Sequence, residues 1–204
     1  MCQNKRFIES IRIENRLPVL LELHQERVTK TFSHFGKEKA VFYLKNILNS
    51  IQIPTDEVYK LRILYDLEGN WDTELVPYSI SETKSFQLME NPSIDYSYKY
   101  ENRDIFLEMK QKSTADEIIL TQNGNITDTS FSNLIFLKNG QWHTPKTYLL
   151  NGVQRQFLLK NNLIKETEIH TENLREFTHF KLINAMRGLS EENPSFPIAL
   201  ICFP

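Results

Sequence analysis

Along Arg6 to Ile13 the run Phe-Ile-Glu-Ser-Ile-Arg-Ile alternates apolar with polar residues, the two-residue period of a strand with one buried face. Glu14-Asn15-Arg16 is a turn, and a second short strand is expected over Leu17 to Leu21. From Leu23 to Phe35 the apolar positions Leu23, Val28, Phe32 and Phe35 fall near helical spacing. Gly36 ends that helix, and Ala40, Val41, Tyr43, Leu44 and Leu48 mark the apolar stripe of a second one over Lys37 to Leu48. A strand over Val58 to Tyr65, the turn Glu68-Gly69-Asn70 and a returning strand over Thr73 to Tyr78 complete a small α+β unit.

The pattern then changes. Residues 79 to 93 are polar apart from a weak strand at Ser85 to Met89, and Asn91-Pro92 is a turn signal. A domain boundary falls in this stretch, giving residues 1–85 as a small α+β domain and 86–204 as a β-rich one. Asp104 to Lys112 reads as a short helix. Closely spaced strands follow at Glu117 to Thr121, Ile126 to Asp128, Asn133 to Leu137 and Gln141 to His143, with Asn123-Gly124 and Asn139-Gly140 as hairpin turns. A helix from about Gly152 to Leu159, a strand around Glu166 to His170, a short helix and a strand at His179 to Ile183 finish the reading.

Composition removes several function classes. The chain has 204 residues, 40% hydrophobic and 25% charged, so it can bury a core, and it has no run near the ~18 apolar residues of a membrane span. Its 24 basic and 26 acidic residues leave a net charge of −2, which gives no electrostatic footprint for nucleic acid. Two cysteines, Cys2 and Cys202, near the termini, with no apolar leader after Met1, read as free thiols of a cytoplasmic chain. Neither has a Cys or His at ligand spacing, so no metal site is expected. With six glycines there is no Gly-x-Gly-x-x-Gly, no Gly-Lys-Ser/Thr and no Gly-x-Ser-x-Gly, which excludes the usual dinucleotide, nucleoside triphosphate and serine-hydrolase signatures.

Three places could carry chemistry. Lys99 lies between Tyr98 and Tyr100, where an amine can be desolvated into a nucleophile or can lie as a solvated tip over an aromatic patch. Asn151-Gly152-Val153-Gln154 opens a helix whose free amides suit an anion, and Arg27 could supply a counter-charge; equally, Gly152 could end a loop and Arg27 be solvated. Asp128 stands in a polar bend between two hairpin signals, where turn capping is the ordinary role. Arg62 and Arg187 are cations that could meet a substrate carboxylate, and the sequence does not rank them.

Taken in order, these pieces resemble the class IV aminotransferases, the fold type IV pyridoxal phosphate enzymes that include branched-chain and D-amino acid aminotransferases and aminodeoxychorismate lyase. The resemblance spans most of the chain. It is carried by Ala115-Asp116-Glu117, by Gly124-Asn125-Ile126-Thr127-Asp128-Thr129-Ser130-Phe131-Ser132-Asn133-Leu134, by Thr144-Pro145 and by Leu149-Leu150-Asn151-Gly152-Val153-Gln154-Arg155. Upstream, Phe7 to Ile13 followed by His24-x-x-Arg27 is similar to the family's opening strand and phosphate-binding arginine, and Lys99 with Asn102-Arg103 to its Schiff-base lysine segment.

The resemblance implies a two-domain α+β fold and pyridoxal 5'-phosphate as cofactor. Lys99 would be the catalytic lysine, covalent partner and general acid-base in one amine. Arg27 with the Val153 and Gln154 amides would hold the phosphate, Leu150 would pack under the ring, and Asp128 would pair with the pyridine nitrogen and keep it protonated. Asp128 stands where the family usually has Glu, Gln154 where it has Thr, and the chain is well short of the family norm. Ile183-Asn184-Ala185-Met186 looks more like the Asn-Ala or Asn-Ser segment of aminodeoxychorismate lyases than the Ser-Thr or Gly-Thr of the aminotransferases, with Asn184 and Ala185 on the phosphate and substrate side. The implied activity is release of pyruvate from 4-amino-4-deoxychorismate to give 4-aminobenzoate, in folate biosynthesis, by a homodimer. An aminotransferase on branched-chain or D-amino acids, and a non-catalytic binding or scaffold relative, are the alternatives.

Overall fold

In the computed structural model, which describes residues 5–203, the alternating segment forms strand β1 (Arg6–Glu14) and buries every second residue, Phe7, Glu9, Ile11 and Ile13. Three of these are apolar and the fourth is a carboxylate. Strand β2 (Leu17–Pro18) pairs with its end, and helix α1 (Leu21–His34) follows directly, so the expected strand over Leu17 to Leu21 is only two residues long. After helix α2 (Leu44–Asn49), β3 (Tyr59–Asp66) and β4 (Trp71–Pro77) complete an antiparallel sheet in the order β2-β1-β3-β4. Helix α1 lays His24, Val28, Thr31 and Phe32 inward, and Val28 and Phe32 join Phe7, Ile11, Ile13, Leu61, Ile63 and Tyr65 in one core.

The helix expected over Lys37 to Leu48 does not form as one piece. A single 3-10 turn at Glu38–Ala40 is followed by extended Val41, and α2 begins only at Leu44. Two contacts explain the break. Phe42 packs edge-on against Phe32 and Tyr65, with ring centroids at 5.9 and 5.3 Å. The Gln25 amide donates to the Phe42 carbonyl at 3.1 Å and accepts from the Leu44 N–H at 2.8 Å, taking over groups a continuous helix would use.

The second unit begins with β5 (Phe86–Glu90) and α3 (Asp104–Gln111). It continues with β6 (Glu117–Gln122), β7 (Asn125–Thr129), β8 (Asn133–Lys138), β9 (Gln141–Pro145), α4 (Val153–Lys160) and β10 (Lys165–Thr167). It closes with β11 (His179–Ile183), β12 (Phe196–Pro197) and β13 (Ile201–Cys202). The sheet runs β10-β9-β8-β7-β6-β5-β13, with β11 paired to β8 and β12 to β11. Asn123-Gly124 and Asn139-Gly140 have positive φ at both residues, from 50° to 75°, the conformation that tight hairpins with native twist require. Phe86, Leu88, Ile119, Ile126, Leu134, Phe136, Phe180 and Leu182 centre the core.

The chain divides between Ser79 and Ile80, not at residue 85, and Tyr98–Asn102 belong with the first unit. Both differences follow from hydrogen bonds remote in sequence. Asp116 accepts from the N–H groups of Lys84 and Ser85 at 2.8 and 3.1 Å, tying that segment to the second unit. The Ile8 N–H donates to the Lys99 carbonyl and the Glu101 N–H to the Arg6 carbonyl, each at 2.9 Å, laying Tyr98–Asn102 beside β1. The architecture is α+β, with four α-helices and thirteen strands among the described residues. Cys2 and the other residues of 1–4 lie outside that range; Cys202 is a free, exposed thiol.

Candidate active site

In the first unit the inward carboxylate of β1 is the centre. Glu9 is fully buried, and Arg27 grips it with one edge of its guanidinium, Nε to Oε1 at 2.7 Å and Nη2 to Oε2 at 2.5 Å. His24, one helical turn from Arg27 on α1, meets Oε2 through Nδ1 at 2.5 Å. Burial alone would raise the Glu9 carboxyl, but the charge and hydrogen bonds of Arg27, with those of His24, outweigh it and hold it at about 2. Burial pushes the His24 imidazole down against the pull of Glu9, and Arg27 and Lys99 push it further. His24 is therefore neutral at pH 7, with its proton assigned to Nδ1 by the hydrogen bond to Glu9. Its Nε2 is buried with no hydrogen-bond partner among the described residues.

Lys99 is half-buried in the extended segment beside β1, close enough for its charge to be felt at His24. Its neighbours anchor that segment: Tyr98 stacks on His34 at 4.5 Å and Tyr100 packs on Phe7 at 5.3 Å. Tyr65 is buried below the cluster, and burial, reinforced by the Glu9 charge, pushes its phenol well above the usual range. Arg62, on β3, is paired with Glu74 at 2.8 Å on the surface.

In the second unit the site is built on a bulge. Between the pairs Ile119–Thr129 and Thr121–Ile126, β7 carries one more residue than β6, so Ile126, Thr127, Asp128 and Thr129 are all buried and the alternation is lost. Asp128 Oδ2 accepts from the N–H groups of Leu149 and Leu150 at 3.1 and 2.9 Å, and Oδ1 accepts from Asn133 Nδ2 at 2.8 Å. Burial raises the carboxyl to about 6, opposed by the Leu150 N–H, the Asn133 amide, the Leu149 N–H and the Arg155 charge. Leu150 thus meets Asp128 through its backbone, and its carbonyl takes the other Asn133 hydrogen bond at 2.8 Å.

The start of α4 is fastened to the same amide. A Cβ at Gly152 would stand 2.1 Å from Asn133 Oδ1, so only glycine fits. Gly152 gives the helix no side-chain cap, and Val153 and Gln154 begin it with buried side chains. Gln154 Nε2 lies 3.2 Å from where a Cβ of Gly188 would be, beside the turn after β11. In that turn Asn184 Nδ2 donates to Ser132 Oγ at 2.9 Å and its Oδ1 accepts from the Met186 N–H at 2.8 Å, with half-buried Ala185 between. Arg187 is buried, donates to Ser81 Oγ at 3.2 Å and lies 5.4 Å from the Phe131 ring centre. Arg103 donates to the Ser130 carbonyl while Glu117 accepts from the Ser130 N–H at 3.1 Å, so the bend after Asp128 is held from both sides.

Within the first unit the structure brings Arg27 onto Glu9; within the second it gathers Asp128, Leu150, the α4 start and Asn184 around Asn133 and Ser132. Sequence reasoning missed Glu9, Asn133 and the Gly152 constraint. Glu9 had a signal: it shares the parity of Phe7, Ile11 and Ile13, and an inward carboxylate calls for a cation.

A protein-family model described as Amino-transferase class IV matches residues 6–191. The chain belongs to that family. Among class IV relatives, an uncharacterized protein of Haemophilus influenzae is 34% identical over 186 residues, which is 89% of this chain and 97% of that one. A protein of Schizosaccharomyces pombe, provisionally named aminodeoxychorismate lyase, is 27% identical over 69% of this chain and 70% of its own length. A crystal structure from Haemophilus somnus 129PT, provisionally named 4-amino-4-deoxychorismate lyase, superposes with a TM-score of 0.83 at 33% identity, covering 93% of this chain and all of that one.

Proposed function

We propose that this class IV protein is a pyridoxal phosphate-dependent 4-amino-4-deoxychorismate lyase, which releases pyruvate and leaves 4-aminobenzoate. The carrying observation is the turn at Asn184-Ala185, whose asparagine is tied to Ser132 at 2.9 Å, because this dipeptide separates the lyases from the aminotransferases in the resemblance. The provisional names of two relatives point the same way.

The residues fit the cofactor. The α4 start has no side-chain cap among the described residues, which suits a phosphate held by the Val153 and Gln154 amides; the family resemblance adds Arg27 as its counter-charge. A carboxylate has about four acceptor sites, and among the described residues three N–H groups reach Asp128, so one acceptor position on Oδ1 would suit a ring nitrogen. Asp128 thus keeps the capacity of the usual Glu at a shorter reach. Leu150 would pack under the ring, and Asn184 and Ala185 would line the phosphate and substrate side.

Bound there, pyridoxal phosphate supplies an electron sink for the carbon attached to the substrate nitrogen. Lys99 takes the proton from that carbon with its Nζ and returns it to the methylene of the enolpyruvyl group. The ether C–O bond breaks, pyruvate leaves, and aromatisation of the ring drives the step; one substrate becomes two products with no other reactant. Homodimeric assembly and a cytoplasmic setting belong to this reading through the family resemblance and the cysteine pattern of the sequence.

The test is incubation of the holoprotein with 4-amino-4-deoxychorismate, reading pyruvate and 4-aminobenzoate. Equal amounts of both, falling about 10²–10⁴-fold in Lys99→Ala, are expected for loss of an acid-base group. Glutamate-dependent turnover without pyruvate would assign an aminotransferase instead.

A further inference from the structure

We infer that Glu9 is the positioning residue of the phosphate site: it acts through Arg27, fixing the guanidinium by a two-point grip that His24 locks from the other side. The inference rests on the proposed phosphate role of Arg27 and adds a residue that never touches the cofactor.

Three observations carry it. Glu9 and His24 side chains are completely inaccessible and Arg27 is 11% exposed, so these charges are held by one another and not by water. A guanidinium has five N–H donors in one plane. With Nε and Nη2 on the two oxygens of one carboxylate, that plane is fixed, and with it the direction of the opposite edge. His24 is neutral and spends its Nδ1 proton on Oε2, so the cluster contains one anion, one cation and an oriented dipole. A carboxylate facing a phosphate-binding arginine looks like a charge working against the anion. Its benefit is geometric: an arginine with a long flexible stem is held in one rotamer before ligand arrives, and the ordering cost is met on folding.

The probes are pyridoxal 5'-phosphate and pyridoxal, which differ by the phosphate alone, with binding read from quenching of intrinsic fluorescence. Glu9→Gln keeps the shape but sets an amide NH₂ against Arg27 Nη2, a donor against a donor. It should weaken pyridoxal phosphate by about 10–100-fold, as for loss of a charge-assisted hydrogen-bonded pair, and leave pyridoxal within a factor of two or so. Equal losses on both ligands, or none on either, would overturn the inference, since a structural role moves both together. Glu9→Asp, which keeps the charge but shortens the reach, carries the same test if Glu9→Gln fails to give a cooperative melt; restoration of wild-type preference by Asp also overturns it. Arg27→Lys separates the two levels. If it leaves the preference for pyridoxal phosphate intact, the phosphate role of Arg27 falls and the inference with it; if it abolishes the preference while Glu9→Gln does not, the inference falls alone.

Discussion

Glu9 and Asp128 are both fully buried carboxylates, and their surroundings drive them in opposite directions. Glu9 has a guanidinium on both oxygens and is held at about 2, so its contribution to stability is complete above pH 4.5 and is lost as pH falls through 2. Among the described residues Asp128 has only neutral donors at hydrogen-bond distance, and it rises to about 6 from 3.8. The native state therefore binds the extra proton between those values, and the stability it contributes is complete below pH 3.8 and lost as pH rises through 6. The shift corresponds to about 3 kcal/mol. Asp128→Asn removes this titration. The stability of the wild type relative to the variant, from denaturant unfolding of the cofactor-free protein, should drop by about 3 kcal/mol between pH 3 and pH 7; a flat difference would refute the assignment. Of these two groups only Asp128 drew notice in the sequence, because it stands in a named motif. Glu9 was visible as an alternating position, but its burial depends on α1 delivering His24 and Arg27 across the strand, which the local pattern does not record.

Among elements, the regular ones were the most legible. Strands β1 and β11, α1 and the two Asn-Gly hairpins follow from period and turn chemistry, which act within a few residues. The break between Lys37 and Leu48 was not legible, because the side chain that competes for the backbone is Gln25, on another helix. The bulge in β7 was hidden for a similar reason: Asp128 is buried beside Thr127 and Thr129 only because β6 is one residue shorter across the ladder. The junction of β8 with α4 gives a prediction at this scale. Gly152→Ala places a methyl into the Asn133 carbonyl oxygen, loosening the amide that holds Asp128 and Leu150. It should lower stability by about 1–3 kcal/mol, as overpacking does, and weaken pyridoxal phosphate together with pyridoxal, because the proposed ring partner moves as well as the proposed phosphate cup. Calorimetry with ligand titration checks both, and an unchanged melting temperature would contradict the stated contact.

For the whole molecule, α+β architecture and class IV membership agree with the reading of motif order along the chain. The exact division did not emerge from composition, since Tyr98–Asn102 lie some ninety residues from the strand they pair with. No described helix is long and apolar enough to cross a membrane. Binding of the cofactor to the native state alone should raise the melting temperature with concentration. The most direct test of the account is the visible absorption spectrum of the purified protein with pyridoxal phosphate, after desalting, for the wild type and Lys99→Ala. A retained visible band in the wild type, absent from the variant, is the predicted result. A band of equal strength in both would remove Lys99 from its role, and no band in either would contradict the enzyme reading and favour a relative that has kept the fold without the chemistry.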